Sequence, residues 1–151
     1  MCWMCDHPTA TFDDYLEEVV RPTVARYGHA VQATDWRGRP MSYTVGRSER
    51  GEPELVVTGK PPDQAHDLIA ALLAGEEAPA ADGRCDLLHG PALWALPVEE
   101  PMRLTVAWRL FPGLSALQVV WADSLGRWPW DVDGSEQLLF GVPQDHWRLA
   151  G

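Results

Sequence analysis

Apolar residues recur along this chain with two periods. Between positions 11 and 28, Phe12, Leu16, Val19, Val20, Val24 and Tyr27 fall three or four apart, the spacing that gathers side chains on one side of an α-helix. Thr11 stands where a capping hydroxyl is wanted and Gly28 where such a helix stops. Pro22 removes a backbone donor inside this pattern, which predicts a kink or two shorter helices meeting near Arg21. Asp13, Asp14, Glu17 and Glu18 read as the solvated face, with first-turn carboxylates suited to the helix dipole.

Downstream the elements are shorter. Residues 30–36 and 41–45 are β-compatible and flank Arg37-Gly38-Arg39-Pro40, which predicts a hairpin connection. Residues 53–59 carry a third strand through Leu55-Val56-Val57. Pro61-Pro62-Asp63 then opens a second helix with the apolar stripe Ala65, Leu68, Ile69 and Leu72, ending near Gly75. Residues 76–84 show no period and read as a surface loop, and strands are predicted at 86–89 and 93–98. Residues 101–111 fit either period. The Glu99-Glu100-Pro101 start and Pro112-Gly113 stop favour a helix there. Residues 115–122 form the clearest strand, with Leu117, Val119 and Val120, and deliver the chain into a loop at Asp123.

A chain of 151 residues suits one domain, 1–151, with 1–10 as a Cys/His-bearing N-terminal segment. Hydrophobic residues at 46% and charged residues at 23% match a globular mixture and exclude a disordered or collagen-like chain, while 13 Gly and 13 Pro favour many turns over a helical bundle. The fold class expected is therefore α+β, a mostly antiparallel sheet with two or three helices packed on it. A net charge of −10 repels phosphate backbones and anionic lipid, so neither nucleic acid nor membrane is an expected partner. With no export signal and no long apolar run, the expected location is cytoplasmic, where the three cysteines stay reduced.

Two clusters can carry chemistry. Cys2 and Cys5 in a Cys-x2-Cys arrangement, with His7 two residues on, can present soft donors to zinc, with Cys85, His89, His29 or His66 as a fourth. The same cysteines also fit a role as small buried hydrophobes, and less well a redox dithiol. The second cluster runs from Trp121 through Asp123, Arg127, Trp128 and Trp130 to Asp131. Aromatic walls with few polar groups are typical of small-molecule pockets. Desolvation beside indoles would raise the proton affinity of Asp123 and make it an acid or base, with Arg127 binding a carboxylate. Alternatively the indoles cap the core and Asp123 bonds amides in the turn leading to Gly126. Ser42, Tyr43 and Thr44, just before Gly46, can line a cleft with hydroxyls or serve simply as β-formers. His29, His66, His89 and His146 have no recognisable partners in sequence, and no nucleotide-binding loop or nucleophile elbow is present.

Several segments together carry a resemblance: Met1-Cys2-Trp3-Met4-Cys5-Asp6-His7-Pro8, Ser42-Tyr43-Thr44-Val45-Gly46, Pro53-Glu54-Leu55-Val56-Val57-Thr58-Gly59, Gln118-Val119-Val120-Trp121-Ala122-Asp123, and Gly126-Arg127-Trp128-Pro129-Trp130. In this order, over almost the whole chain, they resemble a bacterial family known as domain of unknown function 4262. The resemblance implies a soluble single-domain protein of mixed α and β structure and transfers no reaction. The family pattern commonly has Leu where this chain has Arg47 and Lys60, and His where it has Arg103. The added positive charge suits an anionic substrate or partner.

The leading expectation is a small bacterial enzyme of biosynthetic or specialised metabolism. It would bind an organic molecule in a cleft lined by Trp121, Trp128, Trp130 and Tyr43, with Asp123 as acid or base and Arg47 or Arg127 holding negative charge. The alternative is a non-catalytic accessory protein that recognises a peptide or protein, with structural zinc on Cys2, Cys5 and His7. A flavin protein is a distant third, suggested by a helix followed by a Gly-Arg-Pro hairpin.

Overall fold

A computed structural model describes residues 3–75, 79–87 and 90–141. Its centre is a six-stranded sheet in the order β1-β2-β3-β6-β5-β4, made of β1 (Ala30–Trp36), β2 (Arg39–Val45), β3 (Glu54–Thr58), β4 (Gly83–Arg84), β5 (Leu93–Pro97) and β6 (Ala116–Trp121). Every neighbouring pair is antiparallel except β3 and β6, so the fold is α+β with a mostly antiparallel sheet.

Local chemistry accounts for the N-terminal half. Thr11 caps α2 (Phe12–Tyr15), its hydroxyl accepting from the Asp14 amide while its own amide donates to the Asp14 carboxylate. Pro22 does not break the helical tract. Residues Leu16–Val20 widen into a π turn, in which the Arg21 amide reaches back to the Leu16 carbonyl, and α3 (Arg21–Tyr27) starts with Pro22 in its first turn. The predicted division near Arg21 is thus real, and its form is a change of helical pitch. In the hairpin only Arg37 and Gly38 make the turn, with φ of +52° and +75°, because a tight hairpin between twisted strands needs positive φ at both central residues. Arg39 and Pro40 already belong to β2.

Alternation along the strands divides the core in two. On one face Met41, Tyr43, Val45 and Val56 pack beneath Leu16, Val20 and Val24 of the helical tract and Val106 and Ala107 of α5 (Thr105–Leu110). On the other, Leu55, Val57, Leu117 and Val119 meet the predicted stripe of α4 (Pro62–Leu73). Residues 101–111 are helical, a short 3-10 turn followed by α5. The strand expected at 86–89 is displaced: β4 lies earlier, within the segment read as loop, and residues 88–89 are outside the described residues. The cause is Asp86, whose carboxylate takes the Leu93 amide at 2.7 Å and the Arg84 guanidinium, so the chain turns there through a side chain.

A buried carboxylate ties β2, β3 and the turn between them. Glu54, with no exposed surface, accepts from the Thr44 hydroxyl at 2.8 Å, from the amides of Gly46, Arg47 and Ser48 at 3.2, 3.2 and 2.9 Å, and from the Ser48 hydroxyl. Gly46 is required at this spot: its φ is +114°, and a Cβ would come within 2.6 Å of Val24. Glu54→Gln is expected to turn an amide group toward donors it cannot accept from and to cost about 3 kcal/mol, since each unmatched buried donor costs ~1–3 kcal/mol. The check is urea unfolding, with a lower midpoint at unchanged slope.

Candidate functional site

The Trp-rich segment does not form one wall. Trp121 pairs with Leu93 and packs on the α4 side, its indole N–H donating to the Thr58 carbonyl at 3.2 Å and the Lys60 ammonium lying 4.2 Å from the ring centre. Trp94 alternates to the opposite face. There Trp128 and Trp130 stack on each other with ring centres 5.3 Å apart and meet Trp94 edge-on at 6.1 and 6.2 Å, with the Arg84 guanidinium 5.4 Å over Trp128. The aromatic surfaces of Trp94, Trp128 and Trp130 thus cover one another.

Asp123 anchors its own turn. Its carboxylate accepts from the Leu125 and Arg127 amides at 2.9 Å each and from the Arg127 guanidinium at 2.8 Å. The hydrogen bond from the Arg127 amide, helped by that side chain and the Leu125 amide, holds its pKa below the usual 3.8. The expectation that desolvation raises it is therefore reversed: the side chain keeps 30% of its surface exposed, and hydrogen bonds to the charged form dominate. Tyr43, expected at a cleft, is 1% exposed in the core, where its hydroxyl accepts from the Val106 amide at 3.1 Å. Arg47 is also buried, donating to the Pro53 carbonyl at 2.9 Å and pairing with Glu52 at 3.1 Å.

At the N-terminus, α1 (Trp3–Asp6) places Cys5 on the surface, and His7 stacks on Trp3 at 4.2 Å with Nδ1 bonded to the Trp3 carbonyl at 2.9 Å. Cys2 lies outside the described residues, as do His89 and His146. Among the described residues no group of three His, Cys, Asp or Glu side chains is placed to hold a metal ion. No described helix is long and apolar enough to cross a membrane.

The structure instead brings together two histidines that were unremarkable in sequence. Between α3, β1 and α4 runs an open groove of about 620 Å³, floored by Val31, Ile69, Ala70 and Leu73 and carrying His29 and His66. Gly28 ends α3 in a left-handed conformation, so the next residue, His29, leaves the helix at the start of the edge strand. Burial, then the charges of Arg47 and Arg50, push the His29 pKa below the usual 6.5, with Glu54 acting weakly the other way and His66 with the arginines. At neutral pH His29 is therefore a neutral imidazole in an apolar setting, able to accept a proton. A second groove, about 720 Å³, lies across β1 beside Trp3 and Phe12, but its polar groups Tyr15 and Gln32 are joined to each other at 2.7 Å. The first groove had a signal in sequence: the apolar arc of α4 is wider than its core stripe, because His66, Ala70 and Leu73 follow one another at helical spacing beside it.

A six-stranded α+β domain with an open groove at its edge strand is the class these features define. The chain belongs to the family described as a domain of unknown function (DUF4262), whose model matches residues 23–135. It matches no curated protein and no solved structure.

Two outcomes are expected from these placements. The folded pKa of Asp123 is depressed, so its contribution to stability is complete above 3.8 and is lost as pH falls through the folded value. Asp123→Asn should accordingly lower the melting temperature at neutral pH, with the difference from the parent protein narrowing as pH falls below 3.8. Burial first, and then Asp86, push the Cys85 thiol up to about 11. Its alkylation by iodoacetamide at about pH 8 should run roughly a hundredfold slower than that of a thiol at the ordinary value and climb about tenfold per pH unit, followed by mass spectrometry of the modified peptide.

Proposed function

We propose that this protein is a small acid–base enzyme that takes an organic molecule into the groove between α3, β1 and α4, with His29 as the proton acceptor. The observation that carries the reading is the neutral imidazole of His29 on the wall of a 620 Å³ hollow with an apolar floor. His66 faces the same hollow from α4 and supplies a second imidazole to donate or relay a proton. The substrate-lining role expected of Tyr43 and of the indoles passes to Tyr27, Val31 and Ile69, and the base expected at Asp123 passes to His29. Asp123 is a weaker candidate because its two oxygens are taken up by Arg127 and Leu125.

A second reading, a non-catalytic protein that captures a peptide, draws support from the half-buried Trp94, Trp128 and Trp130 beside Arg84, since tryptophan and arginine dominate contact surfaces.

The environment-sensitive dye anilinonaphthalene sulfonate separates the two. Ala70 is exposed on α4 and touches the groove without belonging to the core, so Ala70→Trp fills the hollow and leaves the packing alone. Saturable dye fluorescence at one site per chain, abolished by Ala70→Trp with a melting temperature unchanged within about 2 °C, is the expected result. Dye binding that survives Ala70→Trp and is lost on Trp130→Ala would overturn the reading in favour of the aromatic surface.

A further inference from the structure

We propose that this protein forms a twofold dimer in which the outer edge of β1 pairs antiparallel with the same edge of a second copy, so that two six-stranded sheets become one. The inference stands apart from whatever the groove binds. β1 ends the sheet, and among the described residues no strand lies beyond it. Exposed edges are normally blunted by shortness, proline, lysine or a bulge. The far edge follows that rule, since β4 is two residues long. β1 does not: its seven residues hold no lysine, proline or glycine, and they pair with β2 residue for residue without a bulge.

The backbone fixes which groups are free. Asp35 stands opposite Pro40, which has no amide hydrogen and gives its carbonyl to the Gly59 amide at 3.0 Å on the far side. Asp35 therefore exchanges no backbone bond with β2, and by the alternation of an antiparallel ladder neither do Ala33 and Val31. Their N–H and C=O groups point outward in a row. Two such rows meet when Val31 faces Ala33 of the second copy and Gln32 faces Gln32 across the twofold axis.

Side chains select that register. It sets Asp35, the one charge on β1, against His29 of the second copy, and the symmetry repeats the pair. His29 and Val31 line the same groove, and Asp35 alternates to that face. An imidazole donates to a carboxylate in either protonation state, and its second nitrogen stays with the groove. Registers centred on Ala33 or Thr34 would put the carboxylate against Val31 or Ala33 instead. Chains of −10 repel each other at a distance, but at physiological salt that repulsion is screened over about 8 Å, and the edge itself adds no like-charge contact. Apolar surface is gathered at the same place. Of the exposed large apolar side chains Met4, Phe12, Tyr27, Met102 and Leu125, the first three border the two grooves that flank β1, and Val31 lines both. The side chains that a second copy adds to the first groove, Val31 and Ala33, are small against its 620 Å³.

Sedimentation equilibrium of the full chain from about 1 to 100 μM is expected to show the mass rising from 16.8 kDa toward twice that value. Ala33→Pro deletes an outward N–H without touching the ladder to β2, and should weaken association at least about tenfold with an unchanged far-ultraviolet spectrum. Ala33→Lys, which adds a charge at an exposed edge position without altering the backbone, should weaken it likewise, and serves if the proline unsettles the strand. Gln32→Cys should give a disulfide between the two copies of position 32 under mild oxidation, seen by mass spectrometry of the linked peptide, because facing residues of a non-hydrogen-bonded pair have Cα atoms about 4.5 Å apart. Ala33→Cys should give none. Monomer at every concentration, or association indifferent to both Ala33→Pro and Ala33→Lys, overturns the proposal and leaves the edge to a different chain. A cross-link at position 33 in place of 32 overturns the register and with it the pairing of Asp35 with His29.

Discussion

The buried carboxylate of Glu54 is the constraint on which the rest of the fold depends. An anion with no exposed surface is tolerable only if polar hydrogens replace the water it has lost; the turn after β2 supplies three successive amides and the Ser48 hydroxyl, and Thr44 of β2 supplies a second hydroxyl. That demand dictates the local path. The backbone must curl so that Gly46, Arg47 and Ser48 point their N–H groups inward, which puts Gly46 at a φ closed to other residues and within reach of Val24 on the helical tract. Thr44 extends the network by accepting from the Leu55 amide, fixing how β2 and β3 meet. The same turn carries Arg50 back onto the Gly28 carbonyl and holds Arg47 and Arg50 together on Glu52, so the end of α3 is tied to the loop that solvates Glu54.

The groove itself is a consequence of unequal coverage. α4 lies closest to β2 and β3, with its stripe of Ala65, Leu68, Ile69 and Leu72 buried against the sheet, and it leaves the edge strand β1 incompletely covered. Val31 on that strand is left only partly covered, and the far flank of α4 faces it across open space. On the reverse face the helical tract and α5 cover the same strands closely, which is why Tyr43 vanishes into the core there.

What could be read in the sequence was what neighbours in sequence decide. The Thr11 cap, the Gly28 stop, the perturbation at Pro22, the hairpin at Arg37-Gly38 and the stripe of α4 each involve residues a few positions apart, and each appears in the structure. The mixed α and β architecture followed from their sum. Asp123 was legible as a group with two environments, raised by indoles or lowered by amides, and contacts two to four residues away favoured the second. Of the groove only the widened flank of α4 was legible; its other walls were not, because they require α4 to stand opposite α3 and β1, and the pairing of Trp128 with Trp94 requires β5 to lie beside the chain that follows β6. The displaced strand at Gly83–Arg84 was missed because an exposed carboxylate, Asp86, was read as a strand residue when it acts as a turn-former.

The chain that follows the last strand is fastened in an unusual manner. Gln137 grips both the amide and the carbonyl of Trp121 through its side-chain amide, and Gln118 does the same in reverse, reaching from β6 to the Leu138 carbonyl and the Phe140 amide. Two neutral carboxamides thereby imitate the rungs of a seventh strand. Uncharged clasps of this kind are blind to ionic strength and to protonation, unlike the ion pairs that stud the surface at Glu17, Glu100 and Asp13. Brine or acid that weakens those exposed ion pairs leaves this closing strip seated over β6.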